Sequence, residues 1–156
     1  MKMCRINSLN RWLGRGAVVV AFAALLAACT IEHSENGRLD GFWHLERIDT
    51  IATGRVGDYS NRLLYWAVQG TLLQTSDFDV SSLPLFVMHF EHGNEKLRVY
   101  DVHHNDRPNG DPEIDDLNDL RPCGINATDE TFQVEQLTGS TMILRGDMLR
   151  LYCKKQ

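Results

Sequence analysis

Two β-prone segments, residues 85–91 and 96–103, with a turn between them constrain the fold of this chain more than any other stretch. They flank residues 92–95, His-Gly-Asn-Glu, and Gly-Asn is a preferred pair for a two-residue hairpin turn. The predicted register sets Glu91 opposite Lys96, a favourable pair of opposite charges. Five apolar side chains then share one face: Phe86, Met88, Phe90, Leu97 and Val99. The pattern predicts an antiparallel hairpin with one face in the core and the other mostly in solvent.

Further short β-prone segments follow one another after residue 40. They cover residues 41–48, 62–75 with a break at Gly70, 131–137, 141–145 and 148–154, and residues 50–61 are expected to form a loop. Asp111-Pro112-Glu113 is a typical helix start, so one short helix is predicted from Asp111 to about Leu120. About eight antiparallel strands with short connections predict an all-β fold, a small up-and-down barrel, because closing the sheet removes its exposed edges.

The first 28 residues have the composition of an export signal. Four basic residues precede an apolar run of residues 17–28, and this run is too short for a bilayer core that needs about 20 residues. The tetrapeptide ending at Cys29, Leu-Ala-Ala-Cys, resembles the lipobox of bacterial lipoproteins, in which the cysteine is acylated and becomes the first mature residue. The alternative is an ordinary signal peptide that is cut after an Ala-x-Ala site.

The lipobox resemblance implies three parts of the chain and a location. Residues 1–28 would be the signal peptide, residues 29–38 a lipidated tether and residues 39–156 the barrel domain. The protein is then expected in the cell envelope, held in the outer membrane by acyl chains such as palmitate on Cys29, on the periplasmic or the surface face. Its expected partners are the membrane, through this lipid, and a small apolar ligand or an envelope protein.

Charge and cysteine content narrow the classes of function. Residues 29–156 hold 21 acidic residues against 12 basic ones, a formal charge of −9 that argues against nucleic-acid binding. Of the four cysteines, Cys123 and Cys153 remain once the signal is removed and Cys29 is lipidated. A disulfide between them would close a loop of about 30 residues. The predicted strand order separates them by about 23 Å, so buried thiols are favoured over a bond.

Gly41-x-Trp43 on the first strand resembles the Gly-x-Trp motif of lipocalins. The resemblance implies that Trp43 packs across one end of the barrel and that a basic residue near the last strand, Arg150 or Lys154, stacks on it. The second lipocalin motif, around Thr-Asp-Tyr, is absent. The apolar pattern of residues 132–154 is similar to the C-terminal hairpins of lipocalin-like lipoproteins of unknown function from Gram-negative gut anaerobes. This likeness implies a fold and an envelope location, and no shared activity.

Catalytic and metal-binding patterns are not found in the sequence. In the predicted register His89 and His103 point to opposite faces, and no Cys or carboxylate completes a tetrahedral metal set. An acidic cluster is expected to be a solvated helix face, with weak Ca²⁺ binding as the alternative; it comprises Asp111, Glu113, Asp115, Asp116 and Asp119. Nucleophile elbows and phosphate-binding loops are also missing, so the chain is predicted to be no enzyme and to use no cofactor.

Two functions remain. In the first, the barrel binds a small apolar ligand, and six residues line or plug its interior: Tyr65, Trp66, Phe86, Met88, Phe90 and Val99. In the second, the barrel is filled by its own side chains and serves as an interaction or assembly module of the envelope. An internal apolar cavity above about 300 Å³ would favour the first, and a packed interior with an exposed aromatic patch the second.

Overall fold

The computed structural model describes residues 34–82 and 84–156. The predicted signal peptide, Cys29 and residues 29–33 of the tether lie outside the described residues. The strands are β1 (Gly41–Thr50), β2 (Arg55–Asp58), β3 (Leu64–Gln69), β4 (Leu72–Asp77), β5 (Phe86–Gly93), β6 (Lys96–His104), β7 (Glu130–Leu137), β8 (Thr141–Arg145) and β9 (Leu149–Lys155). Three one-turn 3-10 helices span Gly37–Leu39, Arg107–Asn109 and Arg121–Cys123. In this part of the chain no helix has the length and apolar character that a membrane crossing requires.

The sheet closes on itself, which confirms the predicted antiparallel barrel. β1 and the seven strands from β3 to β9 follow in sequence order, and β1 pairs with β9 to complete the ring of eight. β2 is an addition within residues 50–61, which were wrongly predicted to be all loop. The β1–β3 ladder ends at His44, so the far half of β1, Arg47 to Thr50, pairs with β2 instead.

The hairpin of β5 and β6 has the predicted faces but a different register. Gly93 pairs with Lys96, so the two turn residues are Asn94 and Glu95, with φ of 52° and 60°. Glu91 therefore faces Arg98 and not Lys96. When a hairpin turn shifts by one residue along the chain, each residue pairs with a partner two positions away from the predicted one. Side chains two positions apart on a strand lie on the same face, so the faces do not change. The predicted core face thus survives the error: all five of its side chains are at most 7% exposed.

The predicted helix from Asp111 to about Leu120 is not formed. Asp111 has φ of +50°, a left-handed conformation that does not cap a helix. The segment instead returns to the end of β6, where His104 N–H donates to Pro112 O and Glu113 forms a bridge with His103. Leu120 is fully buried, so the segment still supplies an apolar side chain to the core.

One end of the barrel is closed by the segment that enters β1. Leu39 is fully buried, and Trp43 Nε1 donates a hydrogen bond of 2.7 Å to its carbonyl oxygen. The Lys155 ammonium lies 4.9 Å from the centroid of the Trp43 ring. Gly41 has φ of +129°, and a Cβ there would collide with the Lys155 side chain. The Gly-x-Trp pair therefore fits a structural role at this end.

The basic residue on Trp43 was predicted incorrectly as Arg150 or Lys154. Register explains the error, because Trp43 pairs with Lys155, whereas Lys154 pairs with His44 and points outward. Arg150 pairs with Asp49 near the opposite end, where its guanidinium lies 5.4 Å from the Tyr152 ring centroid.

Both described cysteines are free and buried, as expected. Burial raises the pKa of Cys123 to about 11 and also raises the pKa of Cys153. Both are therefore protonated core thiols at neutral pH.

Candidate functional site: an aromatic patch on a filled barrel

The interior of the barrel is occupied by its own side chains. Of the residues predicted to line a ligand site, Trp66 and Val99 have no exposed surface and Met88 is 1% exposed. Phe86 and Phe90 are 5% and 7% exposed. A side chain without exposed surface borders no space large enough for a water molecule, inside the barrel or outside it. These five residues therefore fill the barrel, and a ligand-binding role for them stays a prediction.

Tyr65, the sixth of those residues, lies on the outer wall in a cluster of three rings. The cluster, called the aromatic patch below, consists of Phe42, Tyr65 and Phe78. Phe42 and Tyr65 stack with centroids 4.5 Å apart and planes 11° apart. Phe78 lies 6.4 Å from Phe42 and 5.8 Å from Tyr65, tilted by about half a right angle to both. Its side chain is 41% exposed, so its ring is open to solvent.

Strand alternation places these rings outside. Phe42 precedes Trp43 and Tyr65 precedes Trp66, and both tryptophans are fully buried, so their neighbours point outward. The β1–β3 register brings Phe42 and Tyr65 diagonally together. Phe78 follows β4 directly, and its N–H donates to Leu63 O at 2.9 Å. Leu63, its partner in this hydrogen bond, is 46% exposed. Val80, two residues further along the chain, is 72% exposed.

Charged groups surround the aromatic patch. Asp77 is almost fully buried and forms an ion pair with the Arg62 guanidinium. Asp79 is 44% exposed; its Oδ2 accepts a hydrogen bond from Leu63 N–H and lies 3.9 Å from Arg62 Nε. His44 Nε2 donates to Arg62 O at 2.6 Å, which fixes the imidazole 5.0 Å from the Tyr65 ring. The patch is therefore an apolar surface held rigidly by a polar network.

The model of the lipocalin-like domain family matches residues 24–156. The chain belongs to this family. Two solved structures are similar to this lipocalin-like chain. A lipocalin-like protein from Bacteroides uniformis is 18% identical, with a TM-score of 0.60 over 77% of this chain and 100% of that one. An uncharacterized protein from Bacteroides eggerthii is 16% identical, with a TM-score of 0.58 over 75% and 98%. A search of curated proteins found no match.

The family match supports the fold and a binding role in general terms, whereas the two solved structures support the fold. Lipocalin-like domains are typically binding domains without enzymatic activity, and at this identity the solved structures show the fold alone. The expectation that this lipocalin-like chain is no enzyme therefore stays a prediction.

A histidine network lies elsewhere on the wall of the lipocalin-like barrel. His103 Nε2 donates to Asp101 Oδ1 at 2.9 Å and Nδ1 donates to Asp111 O at 2.8 Å. His89 Nε2 lies 3.7 Å from Asp101 Oδ2, so the prediction that His89 and His103 point to opposite faces is wrong. A bulge between Val87 and His89 changes the register, and Asp101 has φ of +55°.

The partners of His103 determine its charge. A carboxylate and a carbonyl oxygen can only accept, so the two contacts favour the imidazolium, in which both ring nitrogens donate. Its pKa is accordingly raised, chiefly by the hydrogen bond to Asp101. A groove of about 360 Å³ borders this network. The hydrogen bond of His103 to Asp111 O connects the loop after β6 to the barrel wall.

Within residues 34–82 and 84–156, the fold assembles one set of possible metal ligands. Donor atoms of His104, Asp115 and Asp119 lie within 4.8 Å of one another. The sequence did not suggest this set, because the two aspartates reach His104 only through the return of residues 112–120 to β6. Both aspartates are exposed, and exposed acidic groups commonly meet without an ion. The arrangement could hold a divalent cation, but no feature around it indicates one.

A groove of about 630 Å³ crosses the wall near the turn between β8 and β9. Glu130 is one of its lining residues, and Glu130 Oε2 accepts a hydrogen bond of 2.6 Å from Asn126 N–H. Burial raises the pKa of this carboxyl. The groove is lined mainly by polar and charged side chains, which suits water better than an apolar ligand.

Proposed function

We propose that this chain is a lipid-anchored lipoprotein of the cell envelope whose filled barrel binds a protein partner on its outer wall. The observation that carries the proposal is the contrast between the two sides of the same strands. Trp43 and Trp66 have no exposed surface, whereas their half-buried neighbours Phe42 and Tyr65 stack on the outer wall. Their cluster opens to solvent at Phe78, which is 41% exposed. Aromatic side chains with a polar surround are typical of protein interfaces.

The predicted lipid site suits this geometry. Ser34 follows Cys29 by five residues, a span of at most about 18 Å. Asn36 Nδ2 donates to Gly70 O at 2.7 Å, which ties the start of the described chain to the turn between β3 and β4. A lipid on Cys29 would therefore hold this end of the barrel near the membrane. The aromatic patch, on the side wall, would remain accessible to another envelope protein.

Lipid attachment is tested by feeding the host an alkyne analogue of palmitate. The wild-type chain should acquire the label, and Cys29→Ser should lose it and accumulate as the uncleaved precursor. Cys4→Ser serves as the matched control and should be labelled like the wild type. A mature wild-type chain without label would contradict the lipoprotein assignment.

Outer-wall binding is tested by native mass spectrometry of the full lipoprotein, purified from its host in detergent. We expect a stoichiometric protein partner that is lost in Phe78→Ala and kept in Tyr100→Ala, which removes a ring from a different part of the wall. A small apolar molecule that co-purifies at one per chain would overturn the filled-barrel proposal. It would favour the ligand-binding function instead.

A further inference from the structure

We propose that the aromatic patch binds a cationic side chain, an arginine or lysine next to apolar residues, on the partner protein. The inference rests on the proposed outer-wall function and names the chemistry of the partner. It follows from the arginines that lie over the tyrosine rings elsewhere on the barrel. It commits to a protein segment as the occupant, because a cation and an apolar neighbour must arrive together.

Every described tyrosine outside the patch has a cation of the chain over its ring. Arg62 lies 5.7 Å from the centroid of Tyr59, and Arg98 lies 4.7 Å from that of Tyr100. Tyr152 has two, since Arg47 and Arg150 lie 4.6 and 5.4 Å from its centroid. Arginine above an aromatic face is attracted by the ring quadrupole. This pairing is thus a repeated feature of the barrel wall.

The aromatic patch lacks such a cation within the described residues. The five cation–ring contacts of this part of the chain involve Trp43, Tyr59, Tyr100 and Tyr152, and none involves Phe42, Tyr65 or Phe78. Arg62 is beside the patch but already lies over Tyr59 and forms an ion pair with buried Asp77. Phe42 and Tyr65 cover one face of each other, so the ring that is open to a cation from elsewhere is Phe78.

The charge beside the patch is complementary to a cation. The Asp79 side chain is 44% exposed, and its contact with Arg62 is long, 3.9 Å. Glu46, 39% exposed, lies 3.6 Å from His44, whose ring contacts Tyr65. Both carboxylates can approach a guanidinium or ammonium placed on the rings. An acidic partner would instead meet like charge there.

The apolar surroundings specify the rest of the partner segment. Leu63, whose carbonyl oxygen accepts from Phe78 N–H, is 46% exposed, and Val80, two residues after Phe78, is 72% exposed. Exposed apolar side chains that occur close together in this way are typical of interaction sites. A segment with one cation between apolar residues would cover both the rings and these side chains.

The test compares two short peptides that differ only in charge. Ac-Leu-Arg-Leu-NH₂ and its neutral isostere Ac-Leu-citrulline-Leu-NH₂ are titrated into the full chain, ¹⁵N-labelled and held in detergent micelles. We expect amide shifts in two-dimensional NMR spectra that cluster at Phe42, Tyr65, Phe78 and Asp79. The arginine peptide should bind at least fivefold more tightly than the citrulline peptide.

Variants separate the contributions of ring and carboxylate. Phe78→Leu keeps apolar bulk but removes the ring, and should erase the preference for arginine. Asp79→Asn should reduce that preference, while Tyr100→Ala, on a ring that Arg98 already covers, should leave it unchanged. Unaltered amide shifts away from the substituted position show that each variant is folded.

Three results would overturn the inference. They are equal binding of the two peptides, shifts that map outside the patch, and a dimer of this chain that Phe78→Ala dissolves. A failure here is distinct from a failure of the proposed function. The former leaves a protein partner in the native mass spectrum, whereas the latter shows a small apolar molecule in its place.

Discussion

Gly124 is a single residue on which the packing of the closed barrel depends. Its φ is +85°, and a Cβ there would lie 2.8 Å from Leu151 Cδ2. Leu151 is fully buried and cannot swing into solvent. Gly124→Ala should therefore add a steric collision to the conformational cost of a left-handed residue, and destabilise the fold by about 2–4 kcal/mol. Urea unfolding followed by circular dichroism measures the change.

Gly110 provides the matched control for that substitution. Its φ of +82° is nearly the same, but nothing lies within 4 Å of an added Cβ. Gly110→Ala should cost only the conformational part, about 1 kcal/mol. Equal losses in the two variants would show that Leu151 adjusts and that packing at Gly124 is not tight.

Glu130 should make stability depend on pH. Burial raises its pKa in the folded protein above the value of about 4.3 in an unfolded chain. The folded state then binds the proton more tightly, so the free energy of unfolding falls as pH rises from the unfolded pKa through the folded pKa. Glu130→Gln removes this loss and keeps an oxygen that can accept from Asn126. The free energy of unfolding of the variant, relative to wild type, should therefore rise between pH 4 and pH 7.

An exposed carboxylate controls for general charge effects. Glu95→Gln removes the same formal charge at an exposed turn position. Its stability difference from wild type should change less between pH 4 and pH 7 than that of Glu130→Gln. If the two variants show the same pH profile, burial of Glu130 has no part in the acid response.

The turn between β5 and β6 holds a glutamate in a left-handed conformation, which is unfavourable for residues other than glycine. Both turn positions have positive φ, as in a type I′ turn, and the second is Glu95 at 60°. Glycine adopts this region without strain, so Glu95→Gly should stabilise the fold by about 0.5–1 kcal/mol. The urea midpoint measures the gain. Glu95→Gln keeps the strain while removing the charge, and a gain of the same size there would mean that charge, not φ, is responsible.

The same hairpin shows what a strand pattern can and cannot predict. Alternation identified the buried face, because burial alternates along a strand whatever its exact partner. The predicted turn was one residue too early along the chain. Turn statistics favour Gly93-Asn94, whereas the structure has Asn94-Glu95 at the turn. The bulge after Val87 was also missed, and with it the meeting of His89 with Asp101. Such irregularities depend on neighbouring strands that a local pattern does not contain.

The aromatic patch was only partly accessible from the sequence. Tyr65 and Trp66 were both predicted to line the interior, although adjacent residues of a strand point to opposite faces. By that alternation, Tyr65 points outward when Trp66 points inward. Phe42 and Phe78 could not be joined to it beforehand, because they meet only through the pairing of β1 with β3 and the return of the chain after β4.

At the scale of the whole molecule, closure was predictable while the use of the closed space was not. Consecutive hairpins with short turns lead to a ring, and the pairing of β1 with β9 completes it. Whether eight strands enclose a ligand or only side chains depends on how large residues interlock across the interior. Trp43, Trp66 and Phe132 are all fully buried, and the edge-to-face contact of Trp66 with Phe132 at 5.9 Å spans part of that space.

A filled interior can be opened by a single substitution. Phe132→Ala removes a fully buried ring and should destabilise the barrel by about 3–5 kcal/mol through lost burial and the cavity left behind. An apolar cavity of this kind binds small apolar molecules such as benzene. Benzene should therefore raise the melting temperature of Phe132→Ala and leave that of the wild type unchanged. The exposed substitution Met148→Ala is the control and should gain nothing from benzene. Equal stabilisation of wild type and Phe132→Ala would show that the native barrel already holds accessible apolar space, which is what a ligand-binding lipocalin-like domain requires.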